Sequence, residues 1–484
     1  MLFNSYAYIL VFLPISLIIY FYLNKIKNSL VSNYFLVAAS FFFYSYWDPK
    51  YLLLMLISVI FNYSIGTLLS KMNSKKAAKT ALFTGIAINL VALGYYKYAD
   101  FFIKSTNAVA GTNFDLQHIV LPLAISFFTF QQIAYLVDSY RGLTKEYDFL
   151  NYCLFVSFFP QLIAGPIVHH KEMMPQFEQT ENKKFIYENF HKGLFIFSMG
   201  LFKKTVIADT FALWANFGYN NDISLTFFNA WATSLAYTFQ LYFDFSGYSD
   251  MAVGAAKMFN IDLPVNFNSP YKAVNIQDFW KRWHMTLSRW LKDYLYIPLG
   301  GSKGSSKRTS FNLITTFLLG GLWHGASWTF VAWGLLHGIG SVIHRFWHKT
   351  GIKMSRTMGI FITFMFVHVA WVFFRADSFK KAFYLIKGLF GFNGISVHES
   401  LQYSYPFLST LGIQLTGGTE YYGSFWETSF ILAVAGWIVF RKKNSQEIAE
   451  HFESTYLYIV LTSILLALGI FATGSVNEFL YFNF

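Results

Sequence analysis

The sequence predicts an all-α, polytopic membrane protein. Charged residues make up only 13% of its 484 residues, while 55% are hydrophobic and 21% aromatic. Soluble domains carry roughly 25% charge, and the mean hydropathy here is +0.39. Apolar runs approaching bilayer length recur at residues 7–23, 51–69, 81–96, 120–137, 311–340, 359–374, 430–440 and 456–471. Each span needs about 20 residues, so with the weaker runs the expectation is roughly ten to twelve transmembrane helices plus interfacial and re-entrant segments. With no low-complexity linker and no clear internal repeat, residues 1–484 read as one integral membrane domain.

Charge supplies the orientation. The net charge is +12, carried in short loops as the positive-inside rule requires. Lys25 and Lys27, then Lys71, Lys75, Lys76 and Lys79, then Arg141 and Lys145 are each two spans apart. These loops are expected in the cytoplasm and the N-terminus outside. Lys25 and Lys27 follow the first span, which reads as a retained helix and not a cleaved signal peptide. The basic loops suit anionic lipid head groups, and no nucleic-acid-binding signature accompanies them. Cys153 is the only cysteine, which excludes an intramolecular disulfide and a thiolate metal cluster. It reads as a core cysteine, with an acyl-carrying thiol as the alternative.

Beyond residue 160 the alternation weakens. Pro160, Gly165 and Pro166 break an apolar run, and backbone broken at membrane depth is tolerated only where protein or a cavity satisfies it. Residues 169–184 read as a loop, with His169 and His170 a solvated pair and no third ligand spaced to complete a metal site. The stretch 391–424, rich in Gly and Tyr, reads as the largest extramembrane loop.

Two histidines carry the chemistry. On a helical wheel of residues 276–298, Trp280, Trp283, Leu287, Trp290, Leu291 and Tyr294 share one arc about 100° wide, while Lys281, Arg282, Arg289 and Lys292 lie opposite. This is the pattern of an interfacial helix, with His284 at the edge of its aromatic face. Seven Lys/Arg residues between Lys281 and Arg308 place the region in the cytoplasm. His324 lies in Gly320-Gly-Leu-Trp-His-Gly325, inside an apolar run. A histidine at membrane depth is costly and marks a functional site by default, and a neutral imidazole suits a general base. The bland alternatives are a core histidine at 324 and an interfacial one at 284. Gly320, Gly321 and Gly325 leave room for a helix or a thioester to approach. His337 falls about 220° from His324 on the wheel of a continuous helix and is left out of the site. Asp244 and Asp250 read either as carboxylates paired with Arg, Lys or Tyr or as groups orienting a histidine. No phosphate-binding glycine loop, zinc motif or nucleophile elbow is present.

Six segments in order resemble the membrane-bound O-acyltransferase family, specifically its bacterial alginate and peptidoglycan O-acetyltransferase branch. They are Phe159-Pro-Gln-Leu-Ile-Ala-Gly-Pro-Ile167, Gln240-Leu-Tyr-Phe-Asp-Phe-Ser-Gly-Tyr-Ser-Asp250, Asn266-Phe-Asn-Ser-Pro-Tyr271, Asp278-Phe-Trp-Lys-Arg-Trp-His-Met-Thr-Leu-Ser-Arg-Trp-Leu291, Asp293-Tyr-Leu-Tyr-Ile-Pro-Leu-Gly-Gly301 and Gly320–Gly325. They define a core at about residues 130–340. The resemblance implies a funnel through the bilayer, His324 as the catalytic residue and His284 as its polar partner, positioning the donor or stabilising the oxyanion. Trp280, Arg282, Trp283, Asp244 and Trp323 are the expected substrate-binding residues, with no metal. It further implies acetyl-CoA as the acyl donor, no bound cofactor, a bacterial inner-membrane location, and an extracytoplasmic acetyltransferase subunit and polysaccharide synthesis machinery as partners. D-alanyl transfer from an acidic carrier protein is the rival within the family. A non-catalytic polysaccharide or lipid transporter is the rival outside it.

The charge pattern gives a topology test. A cysteine placed at Ser305 in a Cys153→Ser background is expected to react with an impermeant thiol reagent only from the cytoplasmic side. Labelling in intact cells would reverse the orientation.

Overall fold

The computed structural model describes residues 1–26, 29–144, 148–163, 165–220, 225–398, 414–416, 425–474 and 479–480. The described residues are predominantly helical. Among the described residues, strand pairing is confined to Ser396–His398 lying parallel to Gln414–Thr416. Most of the expected loop at 391–424 lies outside the described residues. Five described helices are long and apolar enough to cross a bilayer by themselves: Ala7–Lys25, Lys50–Lys71, Lys75–Ala110, Arg356–Arg375 and Tyr456–Gly474. They expose Ile18, Leu53, Val91, Phe361 and Phe471, surface that suits lipid and not water. Short polar residues start many of the helices: Ser74, Asp148, Asn275, Ser305, Ser355 and Ser378 each accept a backbone N–H of the first turn, as N-caps do.

The helices that position the site are α1 (Lys75–Leu93), α2 (Ile125–Tyr140), α3 (Tyr187–Phe202), α4 (Phe227–Met258), α5 (Ser306–His324), α6 (Trp328–Lys349) and α7 (Arg356–Arg375). The 32-residue α4 is the axis, buried at every residue from Ala236 to Ala256. Helix α3 lies against it through small residues: a Cβ on Gly200 would come within 2.5 Å of the Gly247 carbonyl oxygen, and one on Gly193 within 2.7 Å of that of Gly254.

Charge locks the same pair of helices. After α3, Lys203 pairs with Asp250 at 2.7 Å, and Lys204 pairs with Asp244 at 2.9 Å and Asp209 at 2.6 Å. Both aspartates therefore take the ion-paired role weighed from sequence. Asp244, expected among the substrate-binding residues, is held instead by Lys204 and by the backbone N–H of Leu480. A carboxylate this deeply buried requires such partners.

Three expectations are corrected. The apolar run 311–340 is not one helix: it breaks at Gly325–Ser327 into α5 and α6, which run antiparallel. His337 therefore reaches the site region from a second helix, and the wheel angle computed for a continuous helix does not apply. The 276–298 segment is likewise broken, into Ile276–Trp280 and Met285–Leu291 with a wide turn at Lys292–Tyr296. Trp283 and Trp290 are buried against protein and Trp280 is half-buried, because facing helices offer more apolar contact than an interface does. Finally, residues 169–184 contain a helix, His170–Glu178, and His169 and His170 are buried. His169 Nδ1 lies 3.0 Å from the Tyr294 hydroxyl, which donates to Asp138 at 2.8 Å, and His170 Nδ1 lies 2.8 Å from Thr144 Oγ1.

The α5–α6 hairpin depends on backbone contact. A Cβ on Gly321 would overlap the Phe330 carbonyl, and one on Gly334 would overlap that of Phe317. Gly321→Val is expected to destabilise the protein by about 1–3 kcal/mol, as overpacking does, and to lower its unfolding temperature in detergent. Gly436→Ala, inside a helix at a position with only the tip of Phe239 within 4.0 Å, is expected to leave that temperature unchanged or slightly raised.

Candidate active site

His284 sits between two short helices in the left-handed conformation, φ 42° and ψ 54°. A non-glycine residue there stores on the order of 1–3 kcal/mol and persists only when its surroundings hold it. Backbone hydrogen bonds on both sides do so: Asn268 N–H to Arg282 O at 2.9 Å and Met285 N–H to Asn266 O at 3.0 Å.

The Asn266 side chain is the hub. Its Oδ1 accepts the backbone N–H of Thr286 at 3.3 Å and the Thr286 hydroxyl at 2.8 Å, and it lies 3.2 Å from His284 Nδ1. A backbone N–H can only donate, so this atom is the acceptor and His284 Nδ1 carries the proton. The lone pair of neutral His284 is then on Nε2, which suits accepting a hydrogen bond and not donating to an oxyanion. Thr286 Oγ1 also accepts the Ile167 N–H at 3.0 Å. One hydrogen-bonded chain thus joins three of the six motif segments.

His324 ends α5, with its ring centroid 6.3 Å from that of His284. The two residues are 2% and 0% exposed, so both are enclosed by protein and not by lipid. Around His324 stand Trp323 at 4.9 Å, Trp333 at 5.1 Å and Phe374 at 5.3 Å between ring centroids. Trp323 also lies 6.3 Å from His284 and 5.0 Å from Phe130, on which it stacks. Aromatic rings pack against both imidazoles. The glycines flanking His324 serve packing: Gly321 admits α6, a Cβ on Gly325 would overlap the Phe330 ring, and Gly320 faces Leu291.

A cavity of about 920 Å³ opens at the α5–α6 turn, lined by Lys97, Gln240, Gly325, Phe330, Phe374 and Arg375 among others. It reaches the residue after His324 and the Phe374 ring that packs on it.

Of the expected site residues, the structure brings His284, His324 and Trp323 together. Trp280 stands one ring away: its Nε1–H donates to His337 Nδ1 at 3.2 Å, and it contacts Trp333 at 5.8 Å. Trp283 packs on Trp371 at 4.9 Å. Arg282 is held by Asp278 at 2.8 Å and the Asn268 carbonyl at 3.3 Å. Cys153 is buried in Phe149–Ser157, which favours the core reading of its thiol. Sequence reasoning missed Asn266, whose motif was noted without a role, and Lys97. The signal for Lys97 was its charge directly after the apolar run 81–96, within the same helix.

The model for MBOAT, the membrane-bound O-acyltransferase family, matches residues 136–379, a stretch that contains both histidines. Over its whole length the chain is 45% identical to the peptidoglycan O-acetyltransferase of Helicobacter pylori, covering 98% of that protein. The chain belongs to the membrane-bound O-acyltransferase family. It is an O-acyltransferase, which sets aside the transporter alternative. It is also 40% identical to the probable alginate O-acetylase of Pseudomonas aeruginosa, over 82% of this chain and 76% of that one. Similarity to the teichoic acid D-alanyltransferase of Streptococcus thermophilus is 28% over 56% of this chain and 71% of that one. The chain therefore falls in the acetylating branch expected from its motifs.

Asn266→Ala removes the acceptor of three buried donors, each left unsatisfied at a cost of about 1–3 kcal/mol. The variant is expected to lose acyl transfer by on the order of tenfold or more, measured per folded protein after size exclusion. Wild-type turnover would mean that the placement of His284 is unimportant.

Proposed function

We propose that this protein takes an acetyl group from a cytoplasmic donor, acetyl-CoA, and passes it through the membrane for O-acetylation of an extracytoplasmic cell-envelope polysaccharide. Peptidoglycan is the leading acceptor, because the relative that covers the whole chain is named for it; alginate is the alternative. The observation that carries the reading is the pair of buried imidazoles, 6.3 Å apart, beside the cavity at the α5–α6 turn.

In this reading His324 is the general base. It takes the proton of the attacking hydroxyl as that oxygen bonds to the thioester carbonyl carbon. The carbon–sulfur bond then breaks, and the proton leaves with the thiolate. His284, with Nδ1–H on Asn266, offers Nε2 to orient the proton being moved. Trp323 lies against both rings and bounds the space for the acyl group. The basic segment 281–308, with its seven cations, draws the donor's phosphates from the cytoplasm. A charged donor cannot cross about 30 Å of hydrocarbon, so its thioester end must meet the acceptor within the protein. An extracytoplasmic acetyltransferase subunit would receive the group on the other side. The weaker and shorter similarity to the D-alanyltransferase favours acetyl over D-alanyl transfer.

His324→Ala is expected to reduce polymer acetylation below about a tenth of wild type at matched membrane abundance, since a general base contributes about 10²–10⁴-fold. Retained acetylation would refute the base assignment. Labelled acetyl-CoA supplied to inverted vesicles is expected to pass label to the acceptor. Transfer seen only from an acidic carrier protein would transfer the reading to the D-alanyl branch.

A further inference from the structure

Lys97 lies outside the residues that the family model matches, yet it touches the helix that ends in His324. The membrane-crossing helix Lys75–Ala110 is interrupted at Gly94–Tyr98 by a π-helical turn. Such a turn carries an extra residue and is found frequently at functional sites. Here it sends two consecutive side chains to one neighbour. The Lys97 ammonium donates to the carbonyl of Trp323, and the Tyr98 hydroxyl donates to that of Leu322 at 2.8 Å.

Those two carbonyls belong to the last turn of α5, where a helix has no backbone donors left to offer. In a buried helix end they need a partner, and a cation is the favoured one at a C-terminus. The ammonium also donates to Ser126 Oγ at 3.2 Å, at the start of α2, and sits 5.7 Å from the Trp323 ring centroid. Among the described residues no carboxylate pairs with it. Ion pairing therefore does not account for this half-buried lysine, whereas the helix end does. Lys97 lines the cavity as well, so the same side chain borders the cavity and holds the backbone that carries His324.

We propose that Lys97 is a positioning residue for the transfer reaction: its ammonium clamps the end of α5 through the Trp323 carbonyl and so fixes His324. The proposal rests on the reading of His324 as the base. A displacement of about 1 Å at a reacting group can cost on the order of 100-fold, and the clamp acts on the residue next to His324.

The test compares Lys97→Met, Lys97→Arg and His324→Ala in cells that make the acetylated polymer, with membrane abundance and unfolding temperature measured for each. Lys97→Met keeps the length of the side chain and removes the charge and donors. It is expected to lower polymer acetylation by on the order of tenfold or more at matched abundance of folded protein, with at most a small fall in unfolding temperature from the unsatisfied carbonyl, while Lys97→Arg restores at least a third of wild-type acetylation. Acetylation above a third of wild type in Lys97→Met would overturn the proposal. So would failure of Lys97→Arg to exceed Lys97→Met, or a fall in unfolding temperature that accounts for the loss. Activity retained in His324→Ala refutes the base reading itself. Activity retained in Lys97→Met with His324→Ala inactive refutes the clamp alone.

Discussion

Polar groups held at membrane depth must find their partners inside the protein, because hydrocarbon offers none. The fold is organised around that constraint. Lys204 meets Asp244 and Asp209, Lys203 meets Asp250, and Asn266 gathers Thr286 and His284. Each group ties together segments far apart in the chain. The ion pairs fasten α4 to the segment after α3, and Asn266 with Thr286 fastens the broken stretch at Ile167 to the turn that carries His284. Breaking one partner leaves a buried charge or donor exposed to a low-dielectric surrounding, and so these contacts specify one arrangement.

Close backbone approach supplies the second part of the architecture. Between α3 and α4, and again between α5 and α6, glycines allow carbonyls to meet at distances that a Cβ would forbid. In membranes, where lipid tails are as apolar as side chains, packing of this kind drives helix association. It also keeps α5 thin enough for His324 to sit beside His284 with α6 directly behind it.

The site combines these two devices with a cage of aromatic rings. Trp323, Trp333 and Phe374 fix the His324 ring on its faces and edges. The hydrogen bond to Asn266 fixes the tautomer of His284. The cavity at the α5–α6 turn, bordered by Lys97 and Arg375, meets this cage at Phe374 and Gly325.

Composition and apolar runs determined the fold class, since bilayer thickness translates directly into run length. Motif order identified the family, the cost of a histidine in an apolar run marked His324, and His284 was marked by its basic, tryptophan-rich segment and by the resemblance. Periodicity was less reliable, because a helical wheel presumes an unbroken helix. The breaks at Gly325–Ser327 and at His284 turned one predicted span into a hairpin and one predicted interfacial helix into a buried elbow. Only the tertiary structure decided which polar residues meet. Lys97 reaches Trp323 across 226 positions, and Asp250 meets Ser445 across 195. Nothing in local pattern records such pairings, because they are set by how helices pack, whereas hydrophobicity and motif spacing are properties of the chain itself.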